Sequence, residues 1–554
     1  MKDIDIYCVN TSSQHTYPLG TTLMEIAESL KIDMPYRICG GIVNNKLAEM
    51  SFGIVKPKTV EFIDLSHPEG QRMYIRSLLF VLYAAAKKVF PEICMKVQHG
   101  ISKGYYCEPE GLELPVTKEA ITKLKQEMNA LVKNDLPFIK KGLPTGEVIK
   151  SYKMQGLDDK AKLAEQQGKI YTDTYFLNGF ANYYYGHLLP STGYITLYDI
   201  LPYFDGILLR VPKLGKPDKL YKIVKQNKLF EIYQEHKDRV EILNVATIGS
   251  LNEFTLKGKS GEILKISEAL QEKKVAEIAN KISEKAEQVK IVLVAGPSAS
   301  GKTTFSKRLS VQLSVNGLHP IQVSLDDYFV DREHTPRNEN GEFDFESLKA
   351  IDIPFFNKQL NELFNGNEVN LPAFDFTLGK RVYKGKKLQL EKDDILIIEG
   401  IHGMNPGLLK HIDESKTFKV FVSALTQISF DEQNHISTAD NRLLRRIIRD
   451  SKYRGYPASE TIRRWPAVKK GEEKNIFPYQ ENADVMFNSA TIYELAVMKK
   501  FAEPLLKEVT ENQPEYREAT RLLKFLSYFK PIDDSEIPPT SLLREFLGGS
   551  SFHY

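Results

Sequence analysis

Cysteine is scarce in this chain: four residues in 554, Cys8, Cys39, Cys94 and Cys107, with no C-x-x-C pair among them. That usage fits a reducing compartment and argues against a structural zinc. Long apolar runs are missing too. The longest, residues 78–86, falls far short of the ~20 residues a bilayer-spanning helix needs. The opening MKDIDIYCVN has no basic stretch leading into an apolar core, so no secretory signal is expected there, and the expected location is cytoplasmic. Neither sign of charge dominates. A formal net charge of +3 gives no bulk electrostatic reason to expect nucleic acid or a membrane surface. Low-complexity tracts and internal repeats are also absent. What remains is 42% hydrophobic and 27% charged, an ordinary globular composition, in a chain long enough for about two to four domains.

The most informative stretch is IVLVAGPSASGKTTFSKRLSVQL, residues 291–313. Five apolar residues read as a fully buried strand, a glycine-rich turn follows, and a helix comes after it. Between them, residues 296–303 fit G-x-x-x-x-G-K-[ST] without a mismatch. Glycines there let backbone N–H groups close around phosphate oxygens, and the helix N-terminus adds partial positive charge. Gly296, Pro297, Ser298, Ala299, Ser300, Gly301, Lys302, Thr303 and Thr304 are therefore the candidate ATP-binding residues. Lys302 is expected to reach the β- and γ-phosphates and the Thr303 hydroxyl to ligate Mg²⁺.

In chain order, residues 1–65 alternate strand patterns with one amphipathic helix, a β-grasp reading. The segments GGIVNNKLAEM and VEFIDLSHPEGQRMYIRS resemble the TGS domain that opens threonyl-tRNA synthetases. Residues 66–245 continue the resemblance, through SLLFVLYAAAKKVFP, VQHGISKGYYCEPEG and TKEAITKLKQEMNALVKNDLPF, to the α+β editing domain of those enzymes. In that family an H-x-x-x-H pair and a later C-x-x-x-H pair hydrolyse mischarged tRNA. Here no histidine lies between His67 and His99, and NYYYGHLLPSTG keeps only His187, with Tyr183 in the cysteine's place. One ligand in four holds no metal, so the resemblance implies the fold without the editing chemistry. The interleaved aromatics of YFLNGFANYYYGH suit base stacking in an RNA contact, although such clusters are more often core. The nearby Lys213, Lys216, Lys219, Lys222 and Lys225 read as a solvated face. Residues 246–288 read as a connector helix, with Ile266, Leu270, Val275, Ile278 and Ile282 at helical spacing.

From 289 to 510, strands and helices alternate, which predicts a mostly parallel sheet covered on both faces. Strands read at 291–295, 320–325, 394–399, 417–423 and 483–488, with ligands at their carboxyl ends. PIQVSL runs into Asp326, placed to accept a proton from a hydroxyl or to bind Mg²⁺ through water. DDILIIEG ends in Glu399, a candidate Mg²⁺ organiser. In NRLLRRIIRDSKYRG, Arg442, Arg445, Arg446 and Arg449 share one helix face with Arg454 at its end, which reads as a mobile lid of unpaired guanidinium groups. Residues 511–554 read as a helical tail in which IPPTSLLREFLGG is a proline-started helix.

Taken together, AGPSASGKTT, LDDYF, FDFESL, LPAFDF, ILIIEGI, RLLRRIIRD and ENADVMF resemble the uridine kinase and phosphoribulokinase family of P-loop kinases. The resemblance implies a general base at Asp326, a ribose-gripping carboxylate at Asp344 and an aromatic near the base at Phe374. It also implies a catalytic lid arginine at Arg446 near the acceptor, with Arg449 and Arg454 on the ATP side. Three positions depart from the family: Gly379 replaces a base-reading histidine, Tyr456 an acceptor-side arginine and Arg464 a base-side glutamine. The expectation is a multidomain α/β and α+β protein whose C-terminal domain is an ATP- and Mg²⁺-dependent kinase of a small ribose-containing acceptor, nominally a nucleoside. A phosphosugar or other small alcohol as acceptor, or a nucleotide-switched RNA-binding protein, are the alternatives. No membrane partner is expected, and a homo-oligomer is among the expectations.

Overall fold

The computed structural model describes residues 3–338, 341–410 and 412–553, apart from the side chains of 239 and 241. The chain opens with a five-stranded mixed sheet. Hairpin Asp3–Cys8/Ser13–Pro18 and hairpin Ile38–Val43/Lys46–Glu49 flank strand Lys58–Asp64, which runs parallel to the first strand. Asn44 and Asn45 turn the second hairpin with φ of 47° and 57°, a left-handed geometry asparagine tolerates. Helix Leu23–Leu30 starts at a capping box between Thr22 and Glu25. It packs Leu23 and Ile26 on Ile4, Ile6 and Cys8, giving the β-grasp arrangement.

Helix Pro68–Val89 contains the longest apolar run and is buried on nearly all sides through residues 77–86. Its partners are the four-stranded sheet built from Cys94–Ile101, Gly104–Glu110, Asp199–Tyr203 and Gly206–Arg210, and the three-stranded sheet Ile139–Pro144, Tyr171–Leu177 and Phe180–Asn182. That burial accounts for a run too apolar for a surface helix. Among the described residues no helix is long and apolar enough to cross a membrane. The core beneath this helix also takes in Cys39, Ile42, Ile63 and Leu65 of the preceding sheet.

The second half is built on five parallel strands in the order His319–Ser324, Asp394–Glu399, Ile291–Ala295, Thr417–Ser423, Val485–Asn488. Alternation along the strands divides their side chains between two cores. Ile291, Leu293, Leu396 and Ile398 meet Phe356, Leu360 and Leu363 of helix Ile353–Phe364 on one face. Val292, Val294, Ile395 and Ile397 meet Phe305 and Leu309 of helix Lys302–Val315, with Val275, Ile278 and Ile282, on the other. The segment read as a connector is thus two helices, Ile248–Leu256 and Ser260–Ser283, and the longer one is a covering helix of the sheet.

The tail belongs to this half as well. Leu522, Phe525, Leu543 and Phe546 share a core with helices Thr438–Arg454, Ala458–Asn475 and Glu494–Lys507. The proline-started helix expected at its end is only the single turn Arg544–Leu547. Turns replace the remainder, and the Ser541 hydroxyl donates to the buried Glu268 carboxylate instead. The two halves are clamped by a buried ion pair, Lys160 to Asp431 at 3.3 Å, and by the Val97 N–H donating to the Glu432 carbonyl.

Candidate active site

Strand Ile291–Ala295 delivers the chain into the phosphate loop from the middle of the sheet, and helix Lys302–Val315 leaves it. Gly296 is required there because a Cβ would meet the Val422 carbonyl at 2.0 Å. Gly301 sits at φ 83° and Ala299 at φ 58°, so the loop curls its N–H groups inward. Lys302 Nζ donates to the Pro297 carbonyl at 3.3 Å and lies 3.9 Å from Glu399. The Thr303 hydroxyl donates to Glu399 at 3.4 Å. Asp326 stands at the mouth of the same cleft, in the turn that follows strand His319–Ser324. Three neighbouring strand ends therefore bring together Lys302, Thr303, Glu399 and Asp326.

The electrostatics of this cleft are strained. Burial pushes the Glu399 carboxyl up to about 7, against the pull of Lys302, and Asp326 and Glu545 add to the rise. Desolvation also raises Asp326, opposed by Lys302, Arg454 and Arg449. Glu346, pushed up to about 7 by burial and by Glu472, faces the same Lys302 and Asp326, and its Oε2 is buried without a hydrogen bond. Several carboxylates thus crowd one ammonium group. Hard oxygen donors in surplus negative charge fit a Mg²⁺ ion, which Thr303 and Glu399 would hold.

The arginine helix differs from its reading as a row of unpaired charges. Arg442 pairs with Glu472 and donates to the Ser298 carbonyl, and Arg445 pairs with Glu494 at 2.5 Å, both inside the protein. These two are structural braces, because a buried guanidinium needs a partner. Only Arg446, Arg449 and Arg454 face the cleft. All three converge on the single carboxylate of Asp450, at 3.2, 2.9 and 3.5 Å, and Arg446 also donates to the Ser298 hydroxyl at 3.1 Å. One carboxylate cannot neutralise three guanidinium groups, so positive charge remains over the loop.

Residues that sequence reasoning missed occupy the loop itself. Glu472 accepts from the Ser298 N–H at 2.9 Å, and Glu545 accepts from the Thr304 N–H at 3.2 Å and its hydroxyl at 2.6 Å. Two of the loop's anion-binding donor positions are thus held by the chain's own carboxylates. No sequence signal points to Glu545, which reaches the loop only through the packing of the tail.

The acceptor side is less complete. The Phe374 N–H donates to Asp327 at 3.1 Å, and its ring is buried edge-on against Phe329 and Phe376. The Asp344 carboxylate makes no hydrogen bond among the described residues, although its neighbour Phe345 joins the same aromatic cluster. Gly379 has φ 69°, and a Cβ there would run into the Arg332 guanidinium at 2.8 Å. Tyr456 and Arg464 stack on each other at 4.9 Å.

In the front half the editing constellation is replaced by internal pairing. The Tyr183 hydroxyl meets that of Tyr528 in the tail, and His187 Nδ1 lies 3.1 Å from Glu49. Among the described residues no metal-ligand group gathers around His187. Tyr175 and Tyr184, offered as stacking rings for RNA, are 3% and 1% exposed and serve as core.

Residues 291–496 match the model of the phosphoribulokinase / uridine kinase family. Over 208 residues the chain is 27% identical to a uridine kinase of Staphylococcus haemolyticus, covering 37% of this chain and 91% of that enzyme. Over 182 residues, in the N-terminal region, it is 28% identical to a threonine–tRNA ligase of Desulforamulus reducens, covering 33% of this chain. The chain spans only 28% of the length of that ligase. Among solved structures, a D-glycerate 3-kinase from Cryptococcus neoformans is similar at 14% identity with a TM-score of 0.23, covering 46% of this chain and 87% of that one.

Proposed function

We propose that residues 289–510 form an ATP- and Mg²⁺-dependent kinase that phosphorylates a hydroxyl of a small ribose-containing acceptor, a nucleoside. The convergence of Lys302, Thr303, Glu399 and Asp326 at three adjacent strand ends carries this reading. A pure nucleotide switch needs no base, and Asp326 supplies one.

The loop N–H groups and Lys302 bind the triphosphate, displacing Glu545 from Thr304. Thr303 and Glu399 would hold Mg²⁺, which would supply neutralisation of phosphate charge. Asp326, with its basicity raised by desolvation, takes the proton from the acceptor hydroxyl. Arg446, Arg449 and Arg454 exchange their shared Asp450 for the charge that develops on the transferring group. Asp344 and Phe374 flank the acceptor.

A second acceptor class is favoured by one specific observation. Gly379 leaves no room for a base-reading side chain beside Arg332, and Tyr456 is stacked on Arg464. Arg464, held by Glu460 at 2.6 Å, is the added arginine that an acceptor phosphate would draw away, hence a phosphosugar. The deciding experiment measures ATP consumption with Mg²⁺ against nucleosides, sugars and phosphosugars. Asp326→Asn is expected to lower acceptor-stimulated turnover by about 10²–10⁴-fold while ATP still binds. Stimulation by uridine or cytidine supports the nucleoside, stimulation by phosphosugars alone supports the second class, and ATP binding with no stimulation defeats both.

A further inference from the structure

A cavity of about 230 Å³ lies away from the phosphate loop, where the three-stranded sheet of the front half, helix Asp158–Gln166 and the tail meet. Its walls include Lys140, Lys169, Lys524, Tyr171, Tyr183 and Tyr528. Three chain segments distant in sequence thus point ammonium groups and phenol rings into one space, and the kinase reading uses none of them.

The charges there do not balance. Lys160, on the floor, is consumed by Asp431 at 3.3 Å, and Lys140 is shared with Asp173 at 3.3 Å. Among the described residues, Lys169 and Lys524 make no ion pair. Lys169 instead lies 5.8 Å over the Tyr528 ring. Behind the wall, Arg76 is wedged against Gly186, and its guanidinium donates to the His187 carbonyl at 3.4 Å. Desolvation, then Lys140, Arg76 and Lys169, pull the Lys524 ammonium down to about 8, with Asp173 opposing. Like charges gathered without a counter-charge raise the energy of the free protein, and an anion entering the cavity lowers it.

The polar groups also fit phosphate chemistry. Tyr183 and Tyr528 share one hydrogen bond between two hydroxyls, which leaves one phenolic proton to donate outward. The Tyr171 ring, 65% exposed, offers a stacking face at the mouth. The volume admits a small molecule and not a folded RNA strand. We propose that this cavity is a binding site for a small phosphate monoester bearing a planar ring, a 5′-mononucleotide. Its phosphate lies against Lys169 and Lys524 and its base against the tyrosines. The inference is independent of which acceptor the phosphate loop serves.

The test uses the full-length chain with Lys302→Ala, which silences the phosphate loop, and titrates adenosine and uridine 5′-monophosphate and inorganic phosphate by equilibrium dialysis. Saturable one-site mononucleotide binding is expected, with inorganic phosphate weaker and competing. Adding Lys524→Gln or Lys169→Gln is expected to weaken binding by about tenfold, the scale of one lost charge-assisted hydrogen bond. Thermal unfolding of those variants reports whether the fold is retained. Four results overturn the proposal. One is no saturation by ~10 mM. Another is binding that folded lysine variants leave unchanged. The third is binding present in the native chain but absent once Lys302 is replaced, which assigns it to the loop. Capture of a tRNA acceptor-stem RNA that mononucleotides fail to displace would likewise replace it.

Discussion

Two clusters of basic side chains in this chain are managed in opposite ways. Around the phosphate loop, internal carboxylates hold two backbone N–H groups and three guanidinium groups: Glu472 on Ser298, Glu545 on Thr304, and Asp450 on three arginines. In the cavity of the front half only Lys140 and Lys160 have carboxylates, while Lys169 and Lys524 have none among the described residues. The difference teaches how an empty anion site is kept stable. A deep site built from backbone N–H groups must be satisfied when free, because buried donors without partners are costly. Long lysine side chains at an open cavity need no carboxylate partner, and the cost appears in the Lys524 ammonium, lowered to about 8 first by desolvation and then by its cationic neighbours.

The largest break in this comparison comes from Lys160, a lysine 2% exposed. Lys160→Met leaves the buried Asp431 without its counter-charge, held only by the Gln433 and Asn434 N–H groups and the Asn434 amide, and is expected to cost about 3–5 kcal/mol, of which adding Asp431→Asn recovers a part. Thermal unfolding reads both, and equal stability of the single and double variants would show that the pair does not hold the halves together.

Next in size is the self-capped loop. Glu545→Gln keeps the shape of the tail and removes its charge from the anion site. ATP affinity by direct titration is expected to rise by about three- to tenfold, since a charged hydrogen bond no longer competes. Unchanged affinity would mean the tail leaves the loop at no cost.

The smallest effect sharpens the electrostatic side. Glu399 and Glu346, pushed up to about 7, bind protons more tightly in the folded chain than in the unfolded one. Their contribution to stability is therefore present at acid pH and lost as pH rises toward and through 7. Mg²⁺ relieves the ionised form, so it is expected to raise Tm more at pH 8 than at pH 5.5, by a few degrees at most. An equal or reversed increment would place the ion elsewhere.

Much of the half that carries the phosphate loop is legible in the sequence. The five strands follow from short apolar runs, and the loop from spacing, because both depend on local backbone requirements. Glu399 and Asp326 sit at strand ends, where periodicity places them, and Thr303 stands in the first turn of the helix after the loop, where the motif spacing places it. The arginine helix shows where such reading stops. Four arginines on one face look equivalent until Glu472 and Glu494 come into contact with two of them. Glu346 carries no local mark either, since its character comes from burial beside Glu472 and Gly471. The front half gives a similar lesson. Its aromatic run reads as stacking rings or, more often, as core, and packing made Tyr175 and Tyr184 core.

By itself, then, the sequence determined the strand order along the chain, the phosphate loop and the residue types at its mouth, because glycine geometry and apolar periodicity are properties of neighbouring residues. The tertiary structure decided which charges are paired. Glu545 reaches Thr304 across a sequence separation of 241, and Lys524 joins Lys140 and Lys169 only when the tail docks on the front half. Coulomb energy depends on distance in space and on burial, and neither is written in the spacing of residues along the chain.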